Sequence, residues 1–240
     1  MQKFTARLSD KYFVSDDNKF LYLKFELVLP DRLSFRSGQY VSLKVNDIGE
    51  RRCYSVVSTP DNNHGFHLLA EIVAEGKGST YLQNLGLGEV IEVLGPLGKF
   101  VVPDTSTAKN LLFVATGSGI APVYSMINDL LLNRHETRQI RLHLGMRSES
   151  STFFFDNLER LMEEHPNFVF DLVLSKPSEE WELCRGHVQD CLKRDFLDKG
   201  IKLNDWEGFV CGNPTMVKET SELLLGMGMD PNLVHHEKFT

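Results

Sequence analysis

The chain has no apolar run approaching a membrane span, which needs about 18 residues or more. Its first residues, Met1-Gln2-Lys3-Phe4-Thr5-Ala6-Arg7, offer no long apolar core ahead of a small-residue cleavage site. Both absences lead us to expect a cytoplasmic protein without a membrane span. Cysteine is scarce: Cys53, Cys184, Cys191 and Cys211 form no C-x-x-C pair and no closely spaced iron–sulfur set. That excludes a resident cluster, implies reduced thiols, and assigns any iron–sulfur partner to another chain. The adjacent pair His235-His236 lacks the i, i+4 spacing of a helical zinc motif, so no metal site is expected. An excess of positive charge is also lacking. A net charge of -7 disfavours a generic nucleic-acid binder, because neutralising phosphates requires a basic surface. There is no repeat and no low-complexity stretch, and with 42% apolar and 25% charged residues disorder is excluded.

What is present divides in two. A length of 240 residues exceeds the usual single domain and implies two compact ones. Phe20 to Leu29 places Leu21, Leu23, Phe25, Leu27 and Leu29 on one side, the period-2 pattern of a half-buried strand. Gln39 to Val45, Cys53 to Ser58, Phe66 to Val73 and Glu89 to Leu94 are further short strands separated by turn residues. With one helix candidate, Ser79 to Leu85, this half predicts a small antiparallel β-barrel. Beyond Pro103 the pattern changes. Strands at Leu111 to Ala115, Ile140 to Gly145, Phe168 to Leu174 and Gly208 to Cys211 alternate with helices at Pro122 to Asn133, Phe154 to Glu164, Val188 to Phe196 and Pro214 to Gly226. That alternation predicts an α/β domain with a parallel sheet. The expected domains are residues 1–103 and 104–240. The first holds 12 basic and 12 acidic residues and the second 14 and 21, which makes the neutral first half the expected docking side for an acidic redox partner.

Two turns carry candidate chemistry. Thr116-Gly117-Ser118-Gly119-Ile120-Ala121-Pro122 leads from an apolar strand into a helix, where tight glycine geometry and free N–H groups favour a pyrophosphate. Pro122 replaces the usual third glycine but suits a first helical turn. Steric need alone also explains such glycines. Cys211-Gly212-Asn213-Pro214 ends a second strand and opens a helix with a good N-cap and N1 pair. Ligands bind beyond the carboxyl ends of parallel strands, so Thr116 and Cys211 are expected to face one crevice. Cys211 reads equally as a small buried hydrophobe. After the strand ending at Gly145, Arg147 and Ser148 stand where an acid is usual in NADH-specific domains, and they suit a 2′-phosphate. A plain surface arginine is the alternative.

These turns belong to an ordered set. Arg52-Cys53-Tyr54-Ser55, Gly76-Lys77-Gly78-Ser79-Thr80-Tyr81-Leu82, Gly95-Pro96-Leu97-Gly98, the two turns above and Glu237-Lys238-Phe239-Thr240 follow one another along the chain. In that order they resemble the motifs of the ferredoxin–NADP reductase superfamily over essentially the whole length. The resemblance implies an FAD-dependent NAD(P)H reductase without a fused iron–sulfur domain, its N-terminal barrel binding FAD and its α/β domain binding the nicotinamide dinucleotide. By the same resemblance Arg52 binds the flavin pyrophosphate together with Gly78, Ser79 and Thr80. Tyr54 packs on the isoalloxazine or contacts the ribityl chain, and Ser55 lies near flavin N5. Thr116, Gly117 and Gly119 hold the dinucleotide, while Cys211 and Glu237 flank the nicotinamide. Phe239 resembles a C-terminal aromatic that shields the flavin in some relatives, but here Thr240 follows it. Taken without the family, Arg52, Tyr54 and Ser55 are alternating strand residues, Ser79 and Thr80 cap a helix, and Glu237 is a solvated carboxylate.

The expected reaction is hydride transfer from NAD(P)H, with NADPH favoured, to FAD. Electrons then pass to a separate acceptor such as a ferredoxin, a flavodoxin or an oxygenase component. Two alternatives stand beside it. One is an NAD(P)H:flavin reductase. The other is a non-catalytic flavin- or nucleotide-binding regulatory or electron-transfer subunit, similar to that of dihydroorotate dehydrogenase but without its C-terminal cysteine cluster.

Overall fold

A computed structural model describes residues 2–239. The chain divides into two units, Met1–Val102 with Tyr124–Arg134, and Pro103–Val123 with His135–Thr240.

The first unit is built on six antiparallel strands: β1 (Gln2–Phe13), β2 (Phe20–Leu29), β3 (Tyr40–Lys44), β4 (Arg51–Ser55), β5 (Gly65–Glu71) and β6 (Val90–Leu97). They lie in the order β4-β3-β6-β1-β2-β5. A bridge between Val56 and Leu68, and the Val57 N–H donating to the His67 carbonyl, join the two end strands and close the barrel. Alternation along the strands turns Phe4, Leu8, Leu23, Phe25, Leu43 and Phe66 into one buried cluster. Phe25 and Phe66 stack at 5.2 Å, and each such buried ring contributes about 1.5–3 kcal/mol through area removed from water. β1 is absent from the expected strands. Its alternation of Phe4, Ala6 and Leu8 is interrupted by a register shift between Leu8 and Asp10, which spoils the pattern in its second half.

Helix α1 (Lys77–Asn84) begins two residues earlier than expected and buries Leu82. Gly76, with extended backbone, is its N-cap and makes no side-chain cap bond, so Ser79 and Thr80 lie inside the first turn and do not precede it. The segment Tyr124–Arg134 groups with the barrel, and three hydrogen bonds join them: the Ser125 hydroxyl donates to the Ser58 carbonyl at 2.7 Å, the Ser37 hydroxyl to Asp129 at 2.9 Å, and the Asn133 amide to Asp61 at 3.1 Å.

The second unit carries a parallel sheet of β7 (Asn110–Thr116), β8 (Gln139–Met146), β9 (Phe168–Leu174), β10 (Cys184–Arg185), β11 (Trp206–Gly212) and β12 (Val234–Lys238). Leu111 to Ala115 are buried without alternation, as expected for a parallel strand covered on both faces. The associated helices are α2 (Ile120–Asn128), α3 (Phe155–Glu164), α4 (Val188–Leu192) and α5 (Pro214–Gly226). α2 and α4 each run on through a π-helical turn, to Asn133 and Leu197. The strand order is β10-β9-β8-β7-β11-β12. Growth of the sheet therefore runs from β7 toward β10 and then reverses to β11 and β12, which makes the β7/β11 pair a topological switch point. Among the described residues no helix is long and apolar enough to cross a membrane.

Candidate functional site

In the first unit Arg52 and Tyr54 meet Gly78 at the start of α1. Arg52 and Tyr54 sit on β4, two residues apart and so on the same face. Gly78 lies against both: a Cβ there would come within 2.3 Å of the Tyr54 hydroxyl and 3.0 Å of Arg52 Cγ. Only glycine admits the phenol at that point. Burial pushes the Tyr54 hydroxyl up to about 12, so it stays a neutral donor. Arg52 is exposed, and its guanidinium bonds among the described residues only to the Arg51 carbonyl. The first amides of a helix have no intrahelical acceptors, and here the stem of the exposed Arg52 lies against the glycine of that first turn. That cradle fits a pyrophosphate.

Ser79 departs from its expected part. Its hydroxyl is held inside its own turn, within 3.0 Å of both the Val73 and Gly76 carbonyls, and it accepts from the Val73 N–H. What Ser79 presents at this turn is its backbone amide. Thr80 is exposed. Ser55 ends β4 and is 3% exposed.

In the second unit the expected crevice residues come together at the switch point. Cys211 pairs in register with Ala115 of β7 on one side and with Glu237 of β12 on the other. β12 falls outside the expected strands; its sequence, Val-His-His-Glu-Lys, is too polar to announce one. After Thr116 a short 3-10 turn, Gly117–Gly119, leads into α2, so Pro122 falls in the first α-helical turn. The turn is pressed onto the end of β11: a Cβ on Gly119 would lie 2.5 Å from the Cys211 carbonyl oxygen. Gly212, at φ +145°, is pressed back onto β7, since a Cβ there would lie 2.3 Å from Thr116 Oγ1. That oxygen is buried and has no hydrogen-bond partner among the described residues. Two strand ends brought together through glycines, with an unpaired hydroxyl between them, fit a dinucleotide phosphate.

Cys211 is fully buried, and burial, reinforced by the charge of Glu237, pushes its thiol well up. It is therefore a protonated, compact wall group. Asn213 caps α5 as expected, its side chain accepting from the Thr215 N–H at 2.9 Å. Phe239 is half-buried and its N–H donates to the Gly212 carbonyl at 2.9 Å; Thr240 lies outside the described residues. Arg147 is exposed with no side-chain partner among the described residues. The Ser148 hydroxyl is engaged with Ser150 and Ser151 in a tight turn, which leaves Arg147 as the open cation past β8. The sequence marks Gly145 only as a strand end, and Gly212 only as part of its turn. A Cβ on Gly145 would meet Val188 at 2.7 Å and Thr116 at 2.9 Å. A glycine closing an apolar strand was the available signal.

Comparison with known proteins bears on family and fold. Residues 5–102 match the oxidoreductase FAD-binding domain, and residues 113–222 match the oxidoreductase NAD-binding domain. The chain is 33% identical over 202 residues to the reductase component of a Pseudomonas phenol 2-monooxygenase, covering 83% of this chain and 55% of that protein. It thus spans little more than half the length of that curated relative. Among solved structures it superposes on an Amycolatopsis cytochrome P450 reductase with a TM-score of 0.90 at 28% identity, over 100% of this chain and 70% of that one. A ferredoxin–NADP+ reductase from Neisseria gonorrhoeae, solved with FAD and NADP, shares the fold at a TM-score of 0.84 and 23% identity, over 99% of each chain.

Proposed function

The chain belongs to the ferredoxin–NADP reductase superfamily, and on that premise we propose that it transfers hydride from NAD(P)H to bound FAD and delivers the electrons to a separate acceptor protein. Bound FAD accepts an electron pair as hydride and can release electrons singly, which is the chemistry the protein itself lacks. Arg52 and the amides at the start of α1 hold the flavin pyrophosphate, and Tyr54 supplies an apolar face with a neutral hydroxyl donor beside it. Ser55 is assigned to the flavin side. Gly117, Gly119 and the Thr116 hydroxyl hold the dinucleotide phosphate. Cys211 fills the wall behind the nicotinamide and excludes water, while Glu237, its register neighbour, holds a hydrogen bond or a proton there.

The observation that carries this reading is the switch point itself: glycines pressed onto opposing strand ends, with Thr116 Oγ1 buried and unpaired between them. NADPH is favoured over NADH, because the open guanidinium past β8 is that of Arg147 and no acid stands beside it in sequence before Glu149. The acceptor is an oxygenase component, a ferredoxin or a flavodoxin. Oxygenase components have the additional support of the phenol monooxygenase and P450 reductases that the chain is similar to.

Anaerobic titration of the purified, flavin-loaded protein with NADPH and with NADH tests the reaction. Bleaching of the flavin by either nucleotide, followed by reoxidation with one candidate acceptor at a time, is the expected result. Failure to retain FAD after supplementation, or a bound flavin that neither nucleotide bleaches, would overturn the proposal.

A further inference from the structure

The second unit holds a cluster of sulfur and charged groups that the dinucleotide site does not use. β10 is a two-residue edge strand beside β9, and α4 begins only three positions after it. This short return carries Cys184 and Cys191, seven apart in sequence, to a Sγ–Sγ separation of 3.1 Å. A disulfide measures about 2.05 Å, so bonding requires an approach of about 1 Å.

The two sulfurs differ in their surroundings. Cys184 is half-buried and lines a cavity of about 460 Å³ whose wall includes Phe155, Glu159, Phe170, Asp171 and Arg194. Cys191 is 1% exposed. The Arg194 guanidinium, on the π-helical extension of α4, donates to Cys184 Sγ at 2.6 Å and to Cys191 Sγ at 3.0 Å. The guanidinium therefore sets a positive charge against both sulfurs. Burial, with the neighbouring Cys184 sulfur, pushes the Cys191 thiol up, and its S–H faces Asp195 Oδ2 at 3.9 Å. Cys184 is thus the reachable, cation-supported sulfur, and Cys191 the protonated one behind it with a carboxylate at hand.

The same cluster offers ligand atoms to a metal. Asp171 with both cysteines, and His143 with Cys191 and Asp195, lie within 4.8 Å of one another, and both ring nitrogens of fully buried His143 lack hydrogen bonds. Cations already occupy these positions, however. Arg194 bridges the sulfurs, and Arg141 Nη2 contacts Asp171 Oδ2 at 3.2 Å and Asp195 Oδ2 at 2.9 Å. A divalent ion would have to displace both guanidiniums, whereas a disulfide needs only the sulfurs to move.

We propose that Cys184 and Cys191 form a reversible dithiol–disulfide couple whose oxidant is a small hydroperoxide entering through the cavity. In the first step the Cys184 thiolate attacks the peroxide. An S–O bond forms, the O–O bond breaks, and the leaving alkoxide takes up the proton that Cys184 released. Cys191 then attacks the Cys184 sulfenic acid as its proton passes to Asp195. The S–S bond forms, the S–O bond breaks, and the leaving hydroxide collects that proton as water. Two electrons pass from the sulfurs to the peroxide, so two thiols and one hydroperoxide yield one disulfide, one alcohol and one water. The bond would free Arg194, half-exposed as it is, from both sulfurs at the cavity rim.

The test uses the full chain in a Cys53→Ser background, because Cys53 is an exposed thiol that could cross-link two molecules. The reduced protein is treated with one equivalent of hydrogen peroxide under chelator, and thiols are mapped by mass spectrometry. The expected product has lost two hydrogens, contains a Cys184–Cys191 cross-linked peptide, and returns to the dithiol with dithiothreitol. Dimedone should trap a sulfenic acid on Cys184 in Cys191→Ser, and Arg194→Gln should slow the wild-type reaction by roughly tenfold or more. Sulfinic acid on Cys184 with Cys191 still reduced, or no thiol consumption, would overturn the proposal. So would stoichiometric zinc in the purified chain that Cys184→Ser abolishes, which would mark a metal centre instead. None of these readouts depends on flavin or nicotinamide chemistry.

Discussion

Thr116→Val separates a ligand-binding hydroxyl from a structural one, because the two predict opposite signs. Thr116 Oγ1 is buried with no partner among the described residues, and Gly212 holds the facing backbone close against it. An unpaired buried hydroxyl costs about 1–3 kcal/mol, and valine keeps the branched shape while removing the oxygen. The nucleotide-free variant should therefore be as stable as the parent or more stable by up to about 1 kcal/mol. If the hydroxyl donates to the anionic pyrophosphate, its loss removes about 1.5–3 kcal/mol of binding and raises the dinucleotide Kd roughly 10- to 150-fold. Urea unfolding without nucleotide and calorimetric titration with NADP+ read the two quantities separately, with FAD content as a control. Unchanged Kd would refute the assignment. A joint loss of stability and affinity would do so as well, since it would show that the side chain supports the fold.

Other substitutions probe the remaining parts. Arg52→Ala should lower retained FAD and raise its Kd by roughly tenfold or more while leaving the second unit folded; flavin release after denaturation measures the stoichiometry. Gly119→Ala drives a Cβ to 2.5 Å from the Cys211 carbonyl and should cost about 1–3 kcal/mol of stability together with dinucleotide affinity, seen in the same two assays. Arg147→Ala should shift the ratio of NADPH to NADH efficiency toward NADH, and an unchanged ratio would remove Arg147 as the selector. His143 is held neutral by burial, reinforced by Arg141, which lowers its pKa from 6.5 to about 3. Between those values the unfolded chain binds the extra proton, so stability is fully present above 6.5 and falls with acidification by about 1 kcal/mol per pH unit. Urea midpoints from pH 7 to 4.5 check the slope, and His143→Phe should flatten it.

The legible parts of the fold are those where local pattern and tertiary role coincide. β2 alternates because one face meets the barrel core, and α5 begins where Asn213 and Pro214 say it should. β1 obeys the same rule only through Leu8, after which the register shift moves the following residues off the alternation; no single-strand pattern carries that information. β12 is held by its pairing with β11, with no apolar face of its own, so its existence depends on a partner strand more than twenty residues away in sequence.

The candidate site follows the same division. Glycine turns and their order along the chain are readable, whereas the closeness that gives them meaning is not. Gly119 reads as one of several turn glycines until β11 is placed beside β7, and then its missing Cβ is what lets the turn approach Cys211. Ser79 shows the converse, since a hydroxyl at the right place in a phosphate-type turn is drawn inward by the Val73 and Gly76 carbonyls. Cys184 and Cys191 have no recognisable spacing, yet an edge strand and the helix that follows it bring their sulfurs to 3.1 Å. Spacing in sequence identifies a site only where one element supplies all its groups. Where two elements supply them, the chemistry is set by packing, and the orphaned hydroxyl of Thr116 and the paired sulfurs are its physical signs.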